Sequence, residues 1–303
     1  ILTKPQHFID LQVISATDVR AILTHAVELK ANRRTHARLL EGRSVAMIFE
    51  KNSTRTRISF EVGIHELGAH PLVISASDLQ LGRGESIADT ARVMSRYVDL
   101  IMMRTTLHEK LIELTEYATI PIINGLSEIS HPCQIMADIL TIEERLGNIE
   151  NKKITWIGDG NNVLNSWISV ASALGFQLHV ACPPAFRPDS MHVQRALEAG
   201  AKIHFTTDML EATKDADAVI TDTWVSMGHE NSETRRQQLS PYQVSDAVMA
   251  FAKKEAIFLH CLPAHRGEEV TASVIDGAQS AVWDEAENRL HVQKAIMCWC
   301  LGV

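Results

Sequence analysis

Ser53-Thr54-Arg55-Thr56-Arg57 packs hydroxyl and guanidinium groups into one short run. It follows the apolar stretch Ser44–Phe49 and opens a segment whose apolar members include Ile58, Val62 and Leu67. Hydroxyls, helix N-terminal amides and guanidinium groups within one turn suit a phosphate. The plainer reading is an N-cap followed by solvated arginines. A cap, however, needs neither both arginines nor all three hydroxyls. No G-x-x-x-x-G-K-[ST] run is present, so this is not a nucleotide P-loop. His131-Pro132-Cys133-Gln134 reads as a second helix start, with proline at an early helical position. His131 and Gln134 can donate to a carbonyl oxygen as it gains charge, or they can simply cap and pack. Arg104, just past an apolar run, suits the same oxygen or a phosphate, although a lone arginine there is ordinarily a surface residue.

Three later clusters are polar in the same way. Gly158-Asp159-Gly160-Asn161-Asn162 begins like a dinucleotide fingerprint, but Val163 takes the third glycine's place. The next strand ends in Ala181-Cys182, without the acidic residue that grips a ribose. Nicotinamide binding is disfavoured. Asn161 and Asn162 read better as helix-start residues, one of them available to a polar ligand. Asp222, in Asp222-Thr223-Trp224-Val225-Ser226-Met227-Gly228, offers a carboxylate for an ammonium, with a hydroxyl and amides close by. A capping aspartate before a glycine turn is the bland alternative. Cys261, in His260-Cys261-Leu262-Pro263, is a conceivable nucleophile. Adjacent strand residues point to opposite faces, which tells against a His260–Cys261 pair. Cys298 and Cys300 read as core positions of a terminal helix. Metal signatures fail: His65-Glu66 and His70 miss the H-E-x-x-H spacing by one residue. His260 and His265 lack an obvious carboxylate partner. No catalytic metal is expected.

These clusters need elements to hold them. Strands are predicted at Ser44–Phe49, Pro71–Ser75, Val98–Met103, Ile120–Ile123, Lys153–Ile157, Gln177–Ala181, Ala218–Thr221, Ile257–His260 and Ala281–Trp283. Amphipathic helical stretches lie between them, at Ser86–Tyr97, Pro132–Leu146 and Asn161–Leu174 among others. Alternating β and α implies parallel sheets covered by helices, an α/β protein. The polar run Gly147–Lys153 is the expected domain boundary, and His229–Pro241 is expected to be a loop. In open α/β sheets ligands gather beyond the carboxyl ends of strands, which is where the polar clusters fall.

The chain has 303 residues, 46% hydrophobic and 22% charged, an ordinary globular mixture long enough for two domains. A net charge of −8 makes nucleic acid or a membrane surface a poor partner. No apolar stretch reaches the roughly 18 residues of a membrane helix, and the opening ILTKPQHFID lacks the layout of a secretory signal. Five cysteines without a C-x-x-C pair argue against a disulfide framework or a structural zinc site. A cytoplasmic location is expected.

Taken together, STRTR with the following SFE, then HPCQ, then HCLP, resemble the aspartate/ornithine carbamoyltransferase family over most of the chain. Asp222 with Ser226-Met227-Gly228, HCLP, IGDGNN and Glu285–Arg289 (EAENR) are similar to its ornithine-using branch. The resemblance implies two doubly wound domains with parallel sheets covered by helices. Residues 1–147, completed by a C-terminal helix at 285–303, would bind carbamoyl phosphate, and residues 148–284 would bind L-ornithine. It implies a homotrimer with shared active sites and no cofactor. Ser53, Thr54, Arg55 and Thr56 match the phosphate site, with Gln80 from a neighbouring subunit. Arg104, His131, Pro132, Cys133 and Gln134 match the surroundings of the carbonyl, and Cys261, Leu262 and Arg289 match further active-site positions. Asn162, Asp222, Ser226 and Met227 match the ornithine site. Arg104, His131, Gln134, Asp222 and Cys261 would then be the catalytic set. An oxidoreductase using GDGNN and a non-catalytic anion-binding protein are the rivals from other classes. Enzymes acting on aspartate, putrescine or acetylornithine are rivals within the family.

Overall fold

The computed structural model describes residues 5–79, 84–226 and 232–303. These form two compact units, Ile1–Ala137 with Asn288–Val303, and Asp138–Glu287. The first contains α1 (Ala16–Ala31), β1 (Ser44–Phe49), α2 (Thr54–Glu66), β2 (His70–Ser75), α3 (Ile87–Met94), β3 (Leu100–Arg104), α4 (His108–Tyr117) and β4 (Ile122–Leu126). From α5 (Pro132–Leu146) the chain passes to the second unit. There follow β5 (Lys153–Ile157), α6 (Asn162–Leu174), β6 (Gln177–Ala181), α7 (Ser190–Glu198), β7 (Lys202–Thr206), α8 (Met209–Thr213) and β8 (Ala218–Thr221). Then come α9 (Ser232–Leu239), α10 (Asp246–Met249), β9 (Ile257–His260), α11 (Ala272–Ile275) and α12 (Val282–Leu301).

Among the described residues every ladder is parallel. The first sheet runs β2-β1-β3-β4 and the second β7-β6-β5-β8-β9. Val45, Ala46, Met47 and Ile48 of β1 are all fully buried, as a strand covered on both faces must be. In each sheet the chain winds one way from its first strand and then returns to wind the other way. The strand order therefore reverses between β1 and β3 in the first unit, and between β5 and β8 in the second. Those two crevices are where such sheets receive ligands.

Local chemistry explains the helices that face these crevices. Ser53 caps α2, and the Asn161 side chain accepts the amides of Val163 and Leu164 at the start of α6. α6 ends at Gly175, whose φ of +70° is the left-handed stop. Both glycines of Gly158-Asp159-Gly160 are required by the fold itself. Gly158 has φ +123°, and a Cβ at Gly160 would lie 2.4 Å from both the Phe186 carbonyl oxygen and the Pro188 nitrogen.

Three expectations are corrected. Ala281–Trp283 is not a strand: Ser280 bridges to Phe258, and the chain then enters α12. β7 was missed, because the polar edge-strand sequence Lys202–Thr206 has no continuous apolar run. Most of His229–Pro241 is helical, with α9 at Ser232–Leu239. α9 has no apolar stripe to betray it. It is held by Arg235, which pairs with Asp159 and donates to the Trp224 carbonyl, and by Arg236, 3.3 Å from Glu268.

Candidate active site

In the first unit the loops after β1 and β3 are clamped together. The Glu50 amide donates to the Arg104 carbonyl at 3.0 Å. The Glu50 carboxylate accepts from Thr105 Oγ1 at 2.5 Å and the Thr106 amide at 3.1 Å, and pairs with Lys110. Burial works against that charge, but these donors hold its pKa below the ordinary value. The clamp delivers Arg104 to the start of α2. There Thr56 Oγ1 accepts from Arg104 Nη1 at 3.1 Å and from Arg289 Nη2 of α12 at 2.9 Å. Two guanidinium groups on one buried hydroxyl concentrate positive charge at a helix N-terminus. That combination suits an anion. Ser53, Thr54 and Arg55 occupy the same turn. Ser53 is half-buried, and Thr54 and Arg55 are exposed. Arg57 instead lies 3.6 Å from Glu61.

His131 stands immediately before α5 and is 4% exposed, with Gln134 also buried. Burial, then the charges of Arg289 and Arg104, hold the His131 pKa well below 6.5. At neutral pH it is an uncharged imidazole able to donate from one ring nitrogen. Its resonances should stay put in an NMR titration from pH 8 to about pH 6. As the pH falls below 6.5 the unfolded chain takes this proton before the folded one, so acid should erode stability. Pro132 opens α5. The Cys133 thiol turns inward onto the Asn124 carbonyl, and burial pushes its pKa up to about 12.

In the second unit Asp222 opens the loop out of β8, and Asn161 at the start of α6 reaches it. Its carboxylate accepts from Asn161 Nδ2 at 2.6 Å, the Thr223 amide at 2.7 Å and the Cys261 thiol at 3.1 Å. Burial first, then Asp222, raises the Cys261 pKa well above its ordinary value. It is a thiol that donates, not a thiolate. Leu262, with φ +61°, turns the chain out of β9. Asn162 is the first residue of α6, half-buried, and Ser226 is exposed. Gln80 and Met227 lie outside the described residues.

The expected residues therefore form two groups, one at each sheet's reversal point. Sequence reading missed three contacts. Asn161 spends its carbonyl on the helix cap and its amide on Asp222, a double use that the motif alone does not reveal. His260 does have a carboxylate partner: Nε2 lies 2.8 Å from Glu269, nine residues on, correcting the expectation that it had none. The His260 amide is held by Glu285 at 2.9 Å.

Two α/β units, one with paired guanidinium groups at a helix start and the other with a buried carboxylate at its sheet's reversal point, have the make-up of a two-domain transferase. A family model described as aspartate/ornithine carbamoyltransferase, carbamoyl-P binding domain, matches residues 6–144, and its Asp/Orn binding domain counterpart matches 150–300. The chain belongs to the aspartate/ornithine carbamoyltransferase family. It is 54% identical over 301 residues to an ornithine carbamoyltransferase of Mesorhizobium japonicum, covering 98% of this chain and 99% of that one. It is 53% identical over 298 residues to that of Brucella suis, covering 98% and 96%. Among solved structures, ornithine carbamoyltransferase from Pyrococcus furiosus superposes with a TM-score of 0.94 at 47% identity, covering 100% and 99% of the two chains. The anabolic ornithine carbamoyltransferase of Campylobacter jejuni gives 0.92 at 43%, covering 97% and 98%.

Proposed function

We propose that this chain transfers the carbamoyl group of carbamoyl phosphate to the side-chain amine of L-ornithine, releasing L-citrulline and phosphate in arginine metabolism. The observation that carries the reading is Thr56 Oγ1 held between Arg104 and Arg289 at the start of α2, in a chain whose second sheet presents Asp222 at its own crevice. Residues 1–147 with the helix at 285–303 bind carbamoyl phosphate, and 148–284 bind ornithine. Ser53, Thr54, Arg55 and Thr56 hold the phosphate. Arg104, neutral His131 and Gln134 surround the carbonyl oxygen, and Arg289 adds charge. The neutral δ-amine attacks the carbonyl carbon, and the oxygen's negative charge grows against these donors. The intermediate collapses with cleavage of the carbon–oxygen bond to phosphate, and the amine loses its proton. Asp222 takes the ornithine ammonium, with Asn162, Ser226 and Met227 completing the site. Much of the rate comes from holding two substrates in attack geometry. No cofactor is needed, and the enzyme works in the cytoplasm. Among the described residues no helix is long and apolar enough to cross a membrane.

The test is an amine panel with carbamoyl phosphate, scored for ureido product and phosphate. Ornithine should far exceed aspartate, putrescine and N-acetylornithine in kcat/KM. Preferred use of any of those three would overturn the substrate assignment.

Because Cys261 is a protonated donor, it positions the amine and forms no covalent bond. Cys261→Ser should keep measurable turnover, and rapid-quench mass spectrometry should find no carbamoyl adduct at this position. A trapped adduct would require a two-step mechanism.

The working unit is a homotrimer in which Gln80 reaches the neighbouring subunit's phosphate site. Arg55→Ala chains and Gln80→Ala chains should each be nearly inactive. A cyclic trimer containing both has one junction where intact Arg55 meets intact Gln80. Random equal mixing makes about three-quarters of trimers hybrid, each with one repaired site in three, so activity should return to roughly a quarter of native. A verified mixture as inactive as its parents would refute the shared site.

A further inference from the structure

His265, Glu268 and Glu269 bring ligand atoms within 4.8 Å of one another in the segment after β9. The transfer chemistry does not use them. Glu269 is 0% exposed, yet its two oxygens are treated very differently. Oε1 lies 2.8 Å from His260 Nε2 and accepts the His265 amide at 2.7 Å. His260 Nδ1 accepts the Leu262 amide at 2.9 Å, so the neutral ring carries its hydrogen on Nε2 and donates it to Oε1. Oε2, in contrast, is buried and has no hydrogen-bond partner among the described residues. Burial penalises this carboxylate, but its donors keep its pKa below the ordinary value. A charged oxygen kept dry and undonated is costly unless something positive meets it. His265 Nδ1 of the same cluster lies 3.7 Å away, on a side chain 47% exposed to water.

We propose that His265 Nδ1, Glu269 Oε2 and a Glu268 carboxylate oxygen bind one divalent transition-metal cation of the zinc, cobalt or manganese type, separate from the carbamoyl-transfer site. Donors about 2.0–2.2 Å from such a cation lie roughly 3.0–3.5 Å apart in octahedral or tetrahedral coordination. The 3.7 Å between Nδ1 and Oε2 needs only a small closure. Thr223 Oγ1, 3.1 Å from Nδ1, is already at this spacing. Its hydrogen is directed to the Val225 carbonyl at 3.1 Å, which leaves a lone pair facing the site. The cation takes the place of a hydrogen on Nδ1, and the solvent-facing Nε2 carries the ring's proton. Two carboxylates against the Arg236 guanidinium, 3.3 Å from Glu268, leave the locality with one net negative charge. His260 donating to Oε1 fixes the carboxylate's orientation, as outer partners do for metal ligands. The donors are nitrogen and oxygen only, which suits these cations and not soft Cu(I). Asp222, His260 and Cys261 also lie close together, but there the thiol is protonated and donates to Asp222.

Cobalt(II) titration of the full chain tests the site. One Co2+ should bind per chain, with d–d absorption and no thiolate-to-metal charge-transfer band. His265→Ala should weaken binding at least tenfold, Glu268→Gln should weaken it as well, and Cys261→Ser should leave it unchanged. Should His265→Ala fail to fold, Glu268→Gln on the half-exposed neighbour carries the same test. The site is refuted if millimolar Co2+ gives no saturable binding. It is equally refuted if a thiolate band appears and vanishes in Cys261→Ser, or if the folded ligand variants bind as tightly as the native chain.

Discussion

Arg55→Ala should lower kcat/KM for carbamoyl phosphate by about 10²–10⁴-fold while leaving the fold intact. A hydrogen bond to a charged group contributes about 1.5–3 kcal/mol, and a guanidinium on a phosphate makes two when bidentate. Each 1.36 kcal/mol is about a tenfold change in rate. Arg55 is exposed in the first turn of α2 and makes no ion pair with another described residue, so its removal breaks no ion pair among the described residues. The phosphate is anionic in both ground and transition states, so KM should rise as kcat falls. Steady-state kinetics with circular dichroism on the variant checks both points. Near-native kinetics in a folded protein would mean that the phosphate sits elsewhere.

Asp222→Asn should reduce kcat/KM for ornithine by about 10²–10³-fold, a loss of roughly 3–4 kcal/mol at that rate scale. Two effects add. The substitution deletes the charge proposed to hold the ammonium, and it places an amide among groups that donate. Oδ1 accepts from the Thr223 amide and the Cys261 thiol, and Oδ2 from Asn161. An asparagine has only one acceptor oxygen, so at least one buried donor faces another donor. The Thr56–Arg104–Arg289 cradle belongs to the other compact unit, so binding of carbamoyl phosphate alone should be nearly unchanged. Calorimetry with each substrate separates the two outcomes. Equal loss of both would show Asp222 to be a folding residue rather than a binding one.

Much of this was legible in the residues. β1, β5, β6, β8 and β9 have the limits expected from their apolar runs. Strands buried on both faces must be apolar throughout, and that pattern is local. The parallel α/β class follows from the alternation, and STRTR, HPCQ and HCLP follow strands where ligand loops belong. β7 and α9 were illegible for the complementary reason. One is a polar edge strand, and the other is a helix held by ion pairs to Asp159 and Glu268, so neither carries an apolar period.

What the chain determined by itself was the list of groups able to hold an anion and an ammonium, since their types and spacing are covalent facts. Their chemical state belongs to the tertiary structure. His131 is neutral because burial and two guanidinium groups surround it. Cys261 is a thiol because it is buried against Asp222, 39 positions earlier. Glu269 keeps one oxygen without a donor among the described residues because His260 and the His265 amide both claim the other. Local pattern encodes which backbone forms. Charge, protonation and hydrogen-bond partners depend on what distant segments the fold brings near and how much water it removes.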